Sequence, residues 1–151
     1  MRFHPLISIA LATYNGERFL SQQMESLLAQ DYPNLEIVIS DDCSTDGTWG
    51  ILQDYAIRDS RIRLLPKDIN RGYVNNFVRV FRECSGDLIS PSDQDDIWHP
   101  TKTRRLMESI EDSSLIYCNN RFVDENGNPI GKNFADTAHM ISGSDPRNLL
   151  L

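Results

Sequence analysis

Apolar and polar positions along the chain follow two alternating rhythms. Leu6-Ile7-Ser8-Ile9-Ala10-Leu11-Ala12 is a nearly continuous apolar run, as expected of a strand buried on both faces of a parallel sheet. After a turn over Thr13–Gly16, Phe19, Leu20, Met24, Leu27 and Leu28 recur at helical spacing, and the predicted helix ends before Pro33. Leu35–Ser40 reads as a second strand. The cap-rich turn Asp41-Asp42-Cys43-Ser44-Thr45-Asp46-Gly47 leads into a helix through Ile51, Leu52, Tyr55 and Ala56, with Asp46 or Ser44 as its cap. A short strand at Ile62–Leu65 precedes a third helix marked by Val74, Phe77, Val78 and Phe81. Gly86 falls where a helix C-terminus favours a left-handed residue. Leu88-Ile89-Ser90 predicts a fourth strand, followed by a helix over Lys102–Glu111 and a strand over Leu115–Cys118. The turn Asp124–Asn128 suits a hairpin, because Asn-Gly tolerates positive φ.

Strands alternating with helices at this interval imply β-α-β units, hence an α/β fold with a mostly parallel sheet and helices on both faces. Right-handed crossovers put the carboxyl ends of the strands on one edge. Ligands of such sheets bind outside those ends, at the topological switch point. Thr13-Tyr14-Asn15, Asp41-Asp42 and Asp93-Gln94-Asp95-Asp96 each follow a predicted strand. Topology therefore brings three polar clusters to one crevice.

The chain has 151 residues, 40% apolar and 25% charged, which is the composition of one soluble globular domain. Asn133–Leu151 is a poorly patterned tail, and Leu149-Leu150-Leu151 looks like the start of a core element. The expectation is a domain truncated on its C-terminal side. A net charge of −7 argues against nucleic acid or an anionic membrane as main partner. An anionic ligand would need a cation to screen it. Cys43, Cys84 and Cys118 form no C-x-x-C pair and read as reduced, mostly buried thiols. No run approaches the ~20 apolar residues that cross a bilayer, and Leu6–Ala12 is too short for a signal peptide. The expected location is the cytoplasm.

Three carboxylates within Asp93–Asp96 repel one another unless something positive sits among them. An Asp-x-Asp at a strand end sends two carboxylates the same way, a pair suited to Mg2+ or Mn2+ with phosphate oxygens completing the shell. The competing reading is a solvated acidic turn before the helix that follows Pro100. Asp41-Asp42 exceeds what capping needs and can accept from a base N–H or a ribose hydroxyl. Tyr14 is placed either to stack on a planar base or as an exposed turn residue. Asn70-Arg71-Gly72-Tyr73 with Asn75-Asn76 makes a polar helix start suited to anions, with Arg71 either its cation or an ordinary surface arginine. Trp98 reads as core or pocket wall and His99 as a surface residue. His4 and His139 carry no signal.

These residues resemble family 2 glycosyltransferases of the GT-A fold. Ile7-Ser8-Ile9 leading to Ala12-Thr13-Tyr14-Asn15-Gly16 is similar to the family's first strand and nucleotide loop. Ile37–Thr48 is similar to its second strand and acidic turn, Asn70-Arg71-Gly72 to the loop before the third helix, and Ser92–Pro100 to the DXD region. The matches fall in order over about residues 6–130, and Lys102 follows the proline as in the family. Asp-Gln-Asp-Asp-Ile-Trp is especially similar to bacterial rhamnosyltransferase-like members that build surface polysaccharide.

The resemblance implies a metal-dependent, inverting transfer of a sugar from a UDP- or dTDP-sugar to a hydroxyl of a saccharide or lipid-linked saccharide. It also implies work at the inner face of the membrane. Thr13 and Tyr14 would line the base pocket, with Asn15 in the same loop. Asp42 would bind the base, Glu17 would approach the nucleotide and Arg71 would contact the anionic donor. Asp93 would lie against ribose or sugar, and Asp95, with Asp93, would hold Mg2+ or Mn2+ at the diphosphate. Family members continue into a second half that holds the acceptor site and the general base. Nothing after Asn133 matches it, and neither Asp136 nor Asp145 is assigned that task. The expectation is a donor-binding half, with a non-catalytic nucleotide-binding remnant as the alternative. A phosphatase would want its Asp where Thr13-Tyr14-Asn15 stands, and a nucleotidyltransferase a glycine-rich loop there.

Overall fold

The computed structural model describes residues 4–136. His139, Asp145 and most of the poorly patterned tail lie outside the described residues. The chain forms two compact units, Met1–Lys102 and Thr103–Leu151.

In the first unit, β1 (Ile7–Thr13), β2 (Leu35–Asp41), β3 (Ile62–Leu64) and β4 (Leu88–Ser92) form one parallel sheet in the order β3-β2-β1-β4. Three helices cross between them: α1 (Glu17–Leu28), α2 (Thr48–Arg58) and α3 (Tyr73–Glu83). β1 is buried along its whole length and β2 along nearly all of it, which is why both read as continuous apolar runs. Ala10 and Val38 point to one face, where they form a core with Leu65 and Val80, and α3 adds Phe77 and Phe81. Ile9, Leu11, Ile37 and Ile39, fully buried, point to the other face by strand alternation. Right-handed crossovers place α1 and α2 there, contributing Leu20, Met24, Leu27 and Leu52, all fully buried. The mostly parallel sheet with helices on both faces is as the sequence predicts.

Gly86 departs from its expected part. It is not among the residues with positive φ, so it is not a left-handed helix cap. Instead a Cβ there would come within 2.6 Å of the Ser8 backbone nitrogen and 2.7 Å of the Leu6 oxygen. Glycine is needed for close approach to β1. β4 runs two residues further than expected, through Pro91, which an edge strand tolerates.

The second unit holds α4 (Lys102–Ser109) from Thr103 on, and a hairpin of β5 (Arg121–Val123) and β6 (Pro129–Asn133), antiparallel, followed by a single 3-10 turn at Phe134–Asp136. α4 stops two residues short of Glu111, which itself takes a φ of 47°. The hairpin turn is held by Asp124, whose carboxylate accepts from the Asn126 and Asn128 N–H groups, with Gly127 at φ 81°. The strand expected at Leu115–Cys118 is absent: those residues have no regular structure, and Leu115 and Tyr117 are exposed. An apolar tetrapeptide makes a strand only beside a partner ladder, and none pairs with it among the described residues. Cys43 and Cys84 are half-buried and Cys118 is exposed, so "mostly buried" does not hold. No helix among the described residues is long and apolar enough to cross a membrane.

Candidate functional site

The three polar clusters meet in a pocket of about 650 Å³ at the carboxyl ends of the strands. β1 supplies Ala12 and Thr13, the turn after it Tyr14, and the turn after β2 Asp42. The loop before α3 supplies Asn70 and Gly72, the first turn of α3 supplies Tyr73 and Asn76, and the segment after β4 supplies Asp93, Gln94 and Asp95. Register explains why the sheet opens here. β2 follows β1 to the Thr13–Asp41 pair, whereas β4 leaves it at the Leu11–Ser92 pair.

On the β1–β2 side, polar side chains tie the two turns together. Asp41, buried, accepts from Thr13 Oγ1 at 3.0 Å, from Ser44 N at 2.9 Å and from the Ser44 hydroxyl. Asn15 donates its N–H to Ser44 Oγ at 2.9 Å, and its side-chain oxygen accepts from Thr45 N at 2.8 Å. Glu17 accepts from Gly47 N at 2.9 Å and donates its own N–H to Asp46 at 3.1 Å. Asp46 also accepts from Thr48 N, so it, and not Ser44, serves the start of α2. Burial alone would raise the Asp46 carboxyl, but these hydrogen bonds outweigh it and hold it below the usual carboxylate range.

Asp42 links this frame to α3. Its two oxygens accept from Arg71 N at 2.6 Å and Gly72 N at 2.8 Å, which fixes the left-handed Gly72 (φ 79°) at the helix start. Each oxygen keeps a further lone pair. Asn76, buried, donates to the Ser40 carbonyl at 2.9 Å and accepts from Ser40 Oγ at 2.6 Å, forming the pocket floor.

The β4 side differs. Asp95 makes no hydrogen bond or ion pair among the described residues. Among the described residues the Asp93 carboxylate has only a long 3.5 Å contact, from the Tyr73 hydroxyl. Partial burial, then the Asp95 charge, push the Asp93 carboxyl above its usual range, and the Tyr73 hydroxyl offsets this in part. Asp96 is raised first by burial and further by Asp93 and Asp95, against the opposing charge of Lys102. Lys102 lies 3.5 Å from the centroid of the Trp98 ring, and Trp98 is buried in the core. Gln94 is the neutral member: its amide accepts from Tyr14 N at 2.8 Å and donates to Tyr14 O at 3.1 Å.

Thr13, Tyr14, Asp42, Asp93 and Asp95 line the pocket; Asn15, Glu17 and Arg71 do not. Asn15 and Glu17 hold the two turns, and the Arg71 guanidinium pairs with Asp68 while its backbone serves Asp42. Sequence reasoning passed over Gln94, hidden among acids, and gave Tyr73 and Asn76 no individual part. His99 is exposed, as expected.

Among the described residues no three of His, Cys, Asp and Glu converge on one point. Asp93 and Asp95 alone would leave a divalent ion most of its coordination positions. That suits an ion shared between one or two carboxylates, phosphate oxygens and water. It does not suit a metal held by protein groups alone.

Residues 8–147 match the family described as Glycosyl transferase family 2. The dTDP-rhamnosyl transferase RfbG of Shigella flexneri is 36% identical over 106 residues, covering 66% of this chain and 36% of RfbG. The structure of S. aureus TarS 1-349 in complex with UDP-GlcNAc is 26% identical with a TM-score of 0.65, covering 70% of this chain and 31% of that one. The mannosyltransferase PcManGT from Pyrobaculum calidifontis, in complex with GDP-Man and Mn2+, has a TM-score of 0.69 and covers 81% of this chain and 36% of its own. At 22% identity its likeness is one of fold. The chain spans 40%, 52% and 44% of three further curated relatives, about half their length or less.

Proposed function

The chain belongs to glycosyl transferase family 2, and from that premise we propose that its pocket binds the nucleoside diphosphate of a sugar donor together with Mg2+ or Mn2+. The observation that carries this is the convergence of Tyr14, Asp42, Asp93 and Asp95, from three strand ends, on one pocket. Tyr14 offers a half-exposed ring to the base beside Thr13. Asp42 offers its spare lone pairs to base or ribose, Asp93 faces ribose or sugar, and Asp95 is the carboxylate for the cation. RfbG, named for a dTDP-sugar, and TarS, solved with a UDP-sugar, support a pyrimidine nucleotide.

In the proposed inverting transfer, an acceptor hydroxyl attacks the anomeric carbon opposite the diphosphate. The new C–O bond forms as the bond to the diphosphate breaks, and that electron pair leaves with the diphosphate. A bound cation would neutralise the charge developing there. The acceptor is a hydroxyl of a saccharide or lipid-linked saccharide in surface polysaccharide synthesis, met at the inner face of the membrane. The attacking hydroxyl must release its proton to a base within hydrogen-bond reach.

The pocket's carboxylates, Asp42, Asp93 and Asp95, are all assigned to the donor. That favours a second reading, nucleotide binding without transfer. Calorimetry with UDP, dTDP and GDP, each with and without Mn2+, tests the shared part. At least one should bind in a Mn2+-dependent way, and binding of none would overturn it. Release of sugar from the matching donor, with and without saccharide acceptors, separates transfer from binding.

A further inference from the structure

We propose that Gln94 is a positioning residue whose side-chain amide replaces the missing rung between β1 and β4 and so sets the spacing between Tyr14 and the carboxylates of Asp93 and Asp95. The inference rests on the donor-binding reading. β4 parts from β1 at the Leu11–Ser92 pair, so Tyr14 has no neighbour from that strand. Gln94 supplies both halves of a peptide-like contact, accepting from Tyr14 N at 2.8 Å and donating to Tyr14 O at 3.1 Å. An ionised carboxylate could only accept, whereas a side-chain amide carries donor and acceptor side by side, and Asn is one methylene shorter. Because Gln94 sits between Asp93 and Asp95, holding it holds both. Without such a tie, the mutual repulsion of those carboxylates acts on an unpaired segment.

Gly16 gives an independent sign of the same design. Its backbone is ordinary, at φ −104° and ψ 10°, so conformation does not demand glycine. Space does: the three atoms nearest to an added Cβ all belong to Gln94, with Oε1 at 2.4 Å and Cδ at 2.5 Å. Gly16 itself is anchored, donating to Thr48 Oγ1 at 2.8 Å and accepting from Phe19 N at 3.0 Å in the first turn of α1. An alanine there displaces Gln94.

The test is calorimetric, on Gln94→Ala, Gly16→Ala and the double variant. Each is titrated with Mn2+ plus whichever of UDP, dTDP and GDP binds the wild type most tightly, and separately with the matching nucleoside. Each single variant should lose about tenfold in affinity for the Mn2+-diphosphate, the scale of one lost hydrogen-bonded contact. Nucleoside affinity, which depends on Tyr14 and at most on Asp93, should fall by clearly less. The double variant should bind no more weakly than Gln94→Ala alone, because the alanine at 94 clears the space that the alanine at 16 enters.

Losses that multiply, an equal loss for the nucleoside, or a Gln94→Ala that binds like wild type would each overturn the proposal. Should Gln94→Ala fail to fold, Gln94→Asn keeps the amide but cannot span the gap, and carries the same comparison. A wild type that binds none of the three diphosphates overturns the donor reading and this inference with it.

Discussion

The two sides of the crevice treat their carboxylates in opposite ways. On the β1–β2 side, Glu17, Asp41, Asp42 and Asp46 all accept from N–H or O–H groups of the neighbouring turns. On the β4 side, Asp93 and Asp96 are raised above their usual range, and Asp95 contributes to both shifts. The first group builds a frame. The second holds negative charge that the protein leaves largely uncompensated, and a cation arriving with an anionic ligand would compensate it. Acidic content is similar on the two sides; the count of satisfied oxygens separates scaffold from site.

The comparison breaks most visibly at Asp41. Asp41→Ala should cost about 3 kcal/mol in urea denaturation, because three buried donors lose their acceptor. A loss well under 1 kcal/mol would remove Asp41 from the frame. Glu17→Ala should cost about 1 kcal/mol, the scale of a lost cap, with nucleotide affinity unchanged by calorimetry. A fall in affinity there would restore Glu17 to the nucleotide.

The smallest effect has the opposite sign. Asp93→Asn should raise the stability of the ligand-free protein at neutral pH by about 0.5 kcal/mol, the scale of a solvent-screened charge interaction. The folded-state pKa of Asp93 is raised, so this group favours folding at low pH. That advantage disappears as pH rises through the folded pKa. Denaturation curves for wild type and variant should therefore converge at acid pH and separate as pH rises. Separation in the other direction would show that Asp93 has a stabilising partner.

The same division marks how far the sequence could be read. β1 and β2 were legible because strands buried on both faces produce unbroken apolar runs. The meeting of Tyr14, Asp42, Asp93 and Asp95 was legible because parallel topology sends every strand end to one edge. Periodicity names a face and an edge, but not the partner a polar side chain takes there. Hence the bonds that Asn15, Glu17 and Arg71 make to neighbouring turns, outside the pocket lining, were not foreseen. Gln94 drew no notice because its contribution lies in two bonds to the backbone of Tyr14, far away in sequence. Gly86 shows the same limit, since its need is the space beside Ser8 and not a dihedral angle. Leu115–Cys118 carries strand-like composition, yet a strand exists only with a neighbour to pair with.

The most direct test of the account compares two neighbouring acids, Asp95 in the pocket and Asp96 outside its lining. Thermal unfolding of wild type, Asp95→Ala and Asp96→Ala is followed with UDP or dTDP, with and without Mn2+. The account predicts a Mn2+-dependent rise in melting temperature for wild type and Asp96→Ala, and none for Asp95→Ala. An undiminished rise in Asp95→Ala would contradict it.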